Sequence, residues 1–197
     1  MLFRKLRYRL KKRTQIFILV AVFGSSFPLQ NFIEKKIFDS LSSRLNFSSS
    51  EEYLVVPGSI VDGDTFSVRY QNEALTIRLC GVDAPEISQN LGIEARNALI
   101  NILQSNNYRV EIQPIERDRY NRMVAIIKVG HGSDRKDVSQ ILVKKGLAWN
   151  YYQHITNCSN TPSLIAAEIE ARIAKRGVHN QSNPIKPWDY RKKSSWR

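Results

Sequence analysis

IVDGDTFSVRYQNEALTIRLCGVDAPE, residues 60–86, is the stretch from which the fold of this chain is most directly predicted. Apolar and polar residues alternate over 66–70 and again over 74–79, which is the pattern of two half-buried strands. The short polar segment 71–73 between them is typical of a hairpin turn. The stretch therefore predicts two neighbouring strands joined by a tight turn.

Acidic residues stand at both ends of this strand pair. Asp62 and Asp64 precede the first strand, and Gly63 between them indicates a turn or bulge that presents both side chains. Asp83 and Glu86 follow the second strand in the turn GVDAPE, in which a proline fixes one backbone dihedral. We expect these carboxylates to form one cluster.

The cluster predicts a site for a cation and a phosphate. Buried carboxylates are costly unless a positive group meets them. Hard divalent cations choose carboxylate and carbonyl oxygens, which Asp64, Asp83 and the Ala84 backbone can supply. Phosphate oxygens match the planar fork of an arginine, and Arg78 and Arg122 are the candidates.

Glu86 falls outside this ligand set and is a candidate to orient or deprotonate a water molecule. Each of these residues also has an ordinary structural interpretation. Acidic turn residues are usually solvated, Arg78 can be a surface strand residue, and Arg122 can be an ion-pair partner. Their joint occurrence in one chain favours the chemical interpretation.

The remaining pattern predicts a small mixed barrel, because three strands come first in succession. Strands are predicted over 53–61, 64–71, 74–81, 108–115 and 122–129, and helices over 91–104, 137–145 and 162–176. The third helix is predicted to face the core with Leu164, Ile165, Ile169 and Ile173. The fold class is therefore α+β, mainly β, with a five-stranded barrel and about three flanking helices.

Residues 1–33 have the layout of a secretory signal or a membrane anchor. The formal net charge is +12, and residues 1–13 carry seven basic side chains and no acidic one. An uncharged run follows over 14–33, with contiguous apolar residues that argue against a soluble amphipathic helix. We expect the chain to be exported, either secreted or periplasmic, or held at a membrane by this segment.

The rest of the chain divides into three parts. A Ser-rich linker is predicted over 34–52, the barrel domain over 53–178, and a basic aromatic tail over 179–197. In the tail, the cluster Arg191, Lys192 and Lys193 predicts a disordered basic end, with non-specific phosphate contact as the alternative.

The two cysteines leave two interpretations open. Cys80 and Cys158 can pair in an exported protein, or they are unrelated thiols, with Cys80 a small core residue. The three histidines lack the spacing of zinc ligands, so a zinc site is not expected.

Four motifs together resemble those of the staphylococcal-nuclease-like, or thermonuclease, family. VDGDTF, IRLCGVDAPE, DRYNR and LVKKGLAW occur in the order and spacing of that family, over about residues 53–178. The resemblance implies an OB-fold barrel. It also implies calcium-dependent cleavage of DNA and RNA phosphodiesters, with water attacking phosphorus.

The resemblance implies a metal site, whose ligands are identified by their positions in the matching motifs. Asp64 and Asp83 match the calcium carboxylates, and Ala84 stands where a backbone carbonyl also binds Ca²⁺. Asp62 matches an acidic neighbour of the metal site that is not itself a ligand.

The catalytic and nucleotide-binding residues transfer in the same way. Arg78 and Arg122 match the two phosphate-binding catalytic arginines, and Glu86 matches the presumed general base. Tyr120 matches a nucleotide-contacting tyrosine, and Tyr152 matches a second tyrosine at the pocket wall.

This chain departs from the family pattern at several positions, and two of the departures change the surroundings of the site. Asn121 replaces the glycine usual before the second arginine, and asparagine tolerates left-handed backbone geometry. The link between Glu86 and the first helix is shorter than in the staphylococcal enzyme, which removes a lysine-bearing loop beside the pocket.

A competing prediction is a non-catalytic OB-fold module that binds nucleic acid at a membrane. That alternative predicts loss of the carboxylates or arginines, and all of them are present.

Overall fold

The structure, a computed structural model, describes residues 52–70 and 73–194. The predicted signal or anchor over 1–33 lies outside these residues, as does the predicted linker except for its last residue. Both assignments therefore stay predictions. Among the helices of 52–70 and 73–194, none is long and apolar enough to cross a bilayer.

Four strands come first in the described chain, and helices are interspersed with the strands after them. The strands are β1 (Glu52–Val55), β2 (Thr65–Tyr70), β3 (Glu73–Leu79), β4 (Val82–Asp83), β5 (Arg109–Arg117), β6 (Met123–Val129), β7 (Lys136–Asp137) and β8 (Trp149–Asn150). The α-helices are α1 (Gly92–Gln104), α2 (Val138–Lys144), α3 (Thr161–Ile173) and α4 (Pro187–Ser194). Short 3₁₀ helices occur at Gly132–Asp134, Ile155–Asn157 and Gly177–Asn180.

Five strands close into a barrel. The order is β3-β2-β1-β5-β6, with antiparallel neighbours, and β3 also pairs with β6 in the parallel sense. Because that last pairing joins the two ends of the sheet, it leaves no open edge between β3 and β6. The predicted α+β, mainly β architecture is confirmed, with an OB-fold-like barrel and flanking helices.

The core follows the alternation seen in the sequence. Phe66 and Val68 of β2 are fully buried, as are Ile77 and Leu79 of β3. Complete burial of side chains of this size contributes about 1.5–3 kcal/mol each. Arg78 lies between two of these core residues on β3, so its side chain starts from the opposite face of the strand.

Gly63 lies where the chain turns into β2, as the sequence predicts. A Cβ atom at this position would lie 2.7 Å from the Cβ atoms of both Ala84 and Ala95, so only glycine allows this close approach. The backbone N–H of Asp64 donates to Oδ1 of Asp62 at 3.0 Å, which closes the turn. β1 ends at Val55, well before the predicted boundary at residue 61, because a separate turn at Pro57 and Gly58 follows it.

The predicted inner face of α3 is wrong for three of its four residues. Ile165, Ile169 and Ile173 are exposed, whereas the buried residues are Leu164, Ala167, Glu168 and Ala171. Small residues let α3 approach its neighbours closely. The carboxylate of Glu168 is buried because it accepts a hydrogen bond from Nδ2 of Asn150 at 2.9 Å and one from Nη2 of Arg172 at 2.9 Å.

The two cysteines form a disulfide, so the interpretation as unrelated thiols is wrong. Cys80, at the end of β3, is bonded to Cys158, shortly before α3, with 6.0 Å between the Cα atoms. The bond ties the barrel to the helical part of the domain.

The prediction of a disordered tail is wrong as well, because the PWDYRKKS segment forms α4 and packs on the domain. The ring of Trp188 stacks on that of Tyr151, with centroids 5.0 Å apart and planes 12° from parallel. The hydroxyl oxygens of Tyr190 and Ser88 lie 2.9 Å apart. The aromatic residues of the tail therefore hold α4 against the domain, and this also positions the basic residues of the helix.

Candidate active site

A buried arginine joins two buried carboxylates at the end of the first hairpin. Thr65 pairs with Arg78, so the hairpin register places Asp64 beside Arg78. Nη1 of Arg78 lies 2.8 Å from Oδ2 of Asp64, and Nη2 donates to Oδ1 of Asp83 at 2.6 Å. Asp83 is held in β4 by its pairing with Trp149 of β8.

Burial and the neighbouring carboxylates together outweigh the effect of Arg78 on the pKa of Asp64. Its Oδ2 accepts from the Ala84 N–H at 2.6 Å, and its Oδ1 accepts from the Thr65 hydroxyl at 3.0 Å. Burial raises the pKa of Asp64 to about 8, with Arg78 opposing and Asp62 and Asp83 adding to the rise. Further positive charge at this point would stabilise the ionised form.

The charge of Arg78 is secured by the same two carboxylates. Although burial lowers its pKa, the negative charges of Asp64 and Asp83 outweigh that effect and raise the pKa above the ordinary value. The guanidinium is therefore a fixed positive group between two acids.

Glu86 lies beside this cluster and is held by a residue that the sequence did not implicate in catalysis. Nη1 of Arg191, in α4, donates to Oε1 of Glu86 at 2.6 Å. The same guanidinium reaches Asp83, with Nη2 lying 2.7 Å from Oδ2. Burial lowers the pKa of Arg191, but its hydrogen bonds to Asp83 and Glu86 outweigh this and raise it. Arg191 is thus charged throughout the physiological pH range.

The second predicted arginine lies on the turn between β5 and β6. Nε of Arg122 donates to Oδ2 of Asp118 at 2.7 Å, and Nη2 lies 2.7 Å from the same oxygen. Partial burial raises the pKa of Asp118, but the hydrogen bonds from Arg122 hold it below its usual value. Asn121 has φ of 62°, so it supports the left-handed turn that glycine would otherwise make. The exposed ring of Tyr120 lies 5.3 Å from the Arg122 guanidinium.

One cavity of about 760 Å³ connects these groups. The predicted site residues that line it are Asp62, Asp64, Arg78, Glu86, Tyr120 and Arg122. Arg191, Tyr151 and His154 line it too, and none of the three was predicted as a site residue. The structure therefore brings the two arginines, which are far apart in sequence, to the same cavity as the acidic cluster.

Asp83, Ala84 and Tyr152 are predicted site residues that do not line the cavity, and Tyr152 contacts a different part of the domain. Its hydroxyl donates to Oε2 of Glu168, away from the cavity, and Tyr151 lines the cavity instead. Burial and the hydrogen bond to Glu168 both raise the pKa of Tyr152. Because β8 ends at Asn150, the chain turns there, and the first of the two adjacent tyrosines faces the site.

The donor set suits a hard divalent cation that keeps several water ligands. Within 52–70 and 73–194, no group of three or more histidine, cysteine or acidic side chains converges as a ready-made metal cage. The buried carboxylate of Asp64 lines the cavity, and that of Asp83, also buried, pairs with the same Arg78 guanidinium. Burial, as the main cause, and the charges of Asp62 and Asp83 raise the pKa of Asp64, so a cation here would favour its ionised form. Two carboxylates completed by water fit calcium or magnesium better than zinc. The prediction that the Ala84 carbonyl is a further ligand stays a prediction.

Comparison with known proteins gives the family. A sequence model described as staphylococcal nuclease homologue matches residues 76–181, more than half of the chain. An uncharacterized endonuclease of Escherichia coli O157:H7 is 33% identical over 132 residues, which cover 67% of this chain and 80% of that protein. A micrococcal nuclease of Shigella flexneri is 31% identical over 144 residues, covering 68% of this chain and 78% of that protein.

A plant relative shares the domain within a longer chain. The staphylococcal-like nuclease CAN1 of Arabidopsis thaliana is 34% identical over 130 residues, which cover 64% of this chain and 37% of that protein. Taken with the closed barrel and the carboxylate–arginine cavity, these similarities show that the chain belongs to the staphylococcal nuclease homologue family.

Proposed function

We propose that this chain is a calcium-dependent nuclease that cleaves DNA and RNA phosphodiesters, with water as the nucleophile. The observation that supports this most strongly is that Arg78 and Arg122 line one cavity with the acidic cluster. Phosphoryl transfer needs positive donors at the phosphate oxygens, and two arginines from separate elements provide them.

Asp64, Asp83 and the Ala84 carbonyl would hold the cation. When bound, a divalent cation supplies charge neutralisation at the phosphate and lowers the pKa of associated water. Arg78 is fixed by its ion pairs before substrate arrives, so little reorganisation is needed when charge develops on the phosphate. Arg122 is oriented by Asp118 in the same sense.

Glu86 is the proposed base for the attacking water. Its side chain is partly exposed and borders the cavity, which a group that exchanges protons with bound water requires. The exposed ring of Tyr120 lies next to Arg122 and offers a stacking surface for a nucleotide. Tyr151 takes the place at the cavity wall that was predicted for Tyr152.

We also propose export or membrane anchoring. The basic head and apolar run of residues 1–33 support it. The Cys80–Cys158 disulfide supports it independently, because such bonds persist in oxidising compartments. Fractionation of producing cells and mass spectrometry of the mature N-terminus test this proposal, and reduced protein found only in cytosol would contradict it.

Plasmid DNA and a structured RNA, each incubated with purified protein in a metal series, test the nuclease proposal. We expect both to be cut in calcium and neither in excess chelator. Magnesium and manganese arms identify the cation. Binding without cleavage in every metal would support the non-catalytic module instead.

A further inference from the structure

Arg191 makes contacts at the acidic cluster that a bound cation would otherwise make. Its Nη2 lies 2.7 Å from Oδ2 of Asp83, and its Nη1 lies 3.2 Å from Oδ1 of Asp83. Nη2 of Arg78 holds that Oδ1 as well, at 2.6 Å. Both carboxylate oxygens of a proposed metal ligand are therefore occupied by guanidinium groups.

A cation on Asp83 and the present position of Arg191 exclude each other. Calcium binds carboxylate oxygens at about 2.3–2.6 Å, which is the space now taken by the nitrogen of Arg191 next to Oδ2. The two positive groups also repel each other. The guanidinium of Arg191 must therefore leave Oδ2 of Asp83 before a metal can bind that oxygen without strong repulsion.

The same guanidinium engages the proposed base. Nη1 of Arg191 lies 2.6 Å from Oε1 of Glu86. An ion pair stabilises the ionised carboxylate but competes for the oxygen that would accept a proton from water. Displacing Arg191 from Asp83 would therefore change the surroundings of Glu86 at the same time.

Docking of α4 does not depend on Arg191 alone. Trp188 stacks on Tyr151, and Nε2 of Gln89 donates to the carbonyl of Ile185 at 3.0 Å. Oε1 of Gln89 accepts from the backbone N–H of Glu86 at 2.9 Å, so one side chain links the segment just before α4 to the turn that carries the base. The arginine can thus move while its helix stays attached.

We propose that Arg191 is a built-in competitor of the metal, which pairs with Asp83 and Glu86 in the metal-free protein and is displaced when the cation binds. The inference rests on the proposed function, because it concerns the same carboxylates. It makes α4 an autoinhibitory element. Arg191 lowers the apparent affinity for the cation, and it keeps a buried carboxylate paired until the cation arrives.

The test is a calcium titration by calorimetry, without nucleic acid, on the full chain and on two charge-matched variants. Coupled sites typically change each other's affinity by roughly 5- to 150-fold. We expect Arg191→Gln to bind calcium more tightly by a factor in that range. Lys193→Gln removes the same formal charge from the same helix and should leave the affinity essentially unchanged.

A third variant keeps the test independent of any folding defect in Arg191→Gln. Trp188→Ala weakens the docking of α4 without altering a carboxylate or the arginine, so it should tighten calcium binding in the same direction. Circular dichroism establishes that each variant is folded. An affinity of Arg191→Gln equal to that of Lys193→Gln, with both folded, would overturn the proposal.

Cleavage by the unmodified chain separates this inference from the proposed function. If that chain cuts plasmid in calcium while folded Arg191→Gln shows no gain in affinity, the competitor proposal fails and the nuclease proposal stands. If no variant binds calcium and the chain does not cut, both fail.

Discussion

Nη2 of Arg78 donates to Oδ1 of Asp83 at 2.6 Å, and both side chains are almost completely withdrawn from solvent. The four residues between them, 79–82, include the end of β3 and the turn into β4. The pair is therefore both a structural element of the barrel end and part of the proposed catalytic group.

Replacing Arg78 should destabilise the metal-free protein. Arg78→Ala leaves Asp64 and Asp83 buried without this partner, and breaking a buried pair in this way typically costs about 3–5 kcal/mol. Urea unfolding in chelator measures the loss. Arg69→Ala, on the exposed face of β2, is the control and should cost far less. Equal losses for the two variants would contradict the role given to the ion pairs.

Arg122 should matter for the rate far more than its neighbour on the same turn. Arg119 and Arg122 both lie near the ring of Tyr120, at 4.8 and 5.3 Å, but a hydrogen bond from Arg122 to Asp118 fixes the Arg122 side chain. Loss of one preorganised donor in a transition state costs about 100- to 1,000-fold in kcat. We expect a loss of this order for Arg122→Ala and a small effect for Arg119→Ala, measured by steady-state cleavage of a fluorescent oligonucleotide.

The adjacent tyrosines should separate function from stability. Tyr151→Ala removes a cavity wall and should raise KM for nucleic acid. Tyr152→Phe removes only the hydroxyl that donates to Glu168, so it should cost about 0.5–1.5 kcal/mol in stability and leave KM unchanged. Kinetics and thermal unfolding of both variants distinguish the two roles. The reverse pattern would restore the residue assignment based on sequence.

Breaking the disulfide should lower stability without altering the site. Loss of a native disulfide from a small domain typically costs about 2–5 kcal/mol in the free energy of unfolding. We expect a loss in this range here, because the bond between Cys80 and Cys158 closes a long loop, with a sequence separation of 78. Cys80→Ala/Cys158→Ala should unfold at lower urea concentration while its KM at low temperature matches that of the unmodified chain. Unchanged unfolding midpoints with and without reductant would show that the bond is not formed or contributes nothing.

Local patterns sufficed for the barrel and for the acidic cluster. The apolar–polar alternation of β2 and β3 has a period of two residues and can be read directly from the sequence. The side chains of Asp64, Arg78 and Asp83 meet because a short hairpin and a turn bring them together. Arg122 was found through its motif. These contacts follow from local geometry and a family pattern.

Other features depend on contacts that no local pattern encodes. Arg191 reaches Asp83 across 108 residues, and its own segment shows only basic and aromatic composition. Glu168 lies on the buried face of α3, and its burial depends on hydrogen bonds from Asn150 and Arg172. The choice of Tyr151 over Tyr152 follows from where β8 ends, and a one-residue offset there changes which side chain meets the cavity.

An acidic cation site and two arginines form the proposed catalytic centre for phosphodiester cleavage. Supercoiled plasmid incubated with the unmodified chain and with Arg122→Ala, each in calcium and in excess chelator, tests this centre. We expect rapid cutting only by the unmodified chain in calcium. Equal cutting by Arg122→Ala, or cutting that persists in chelator, would contradict it.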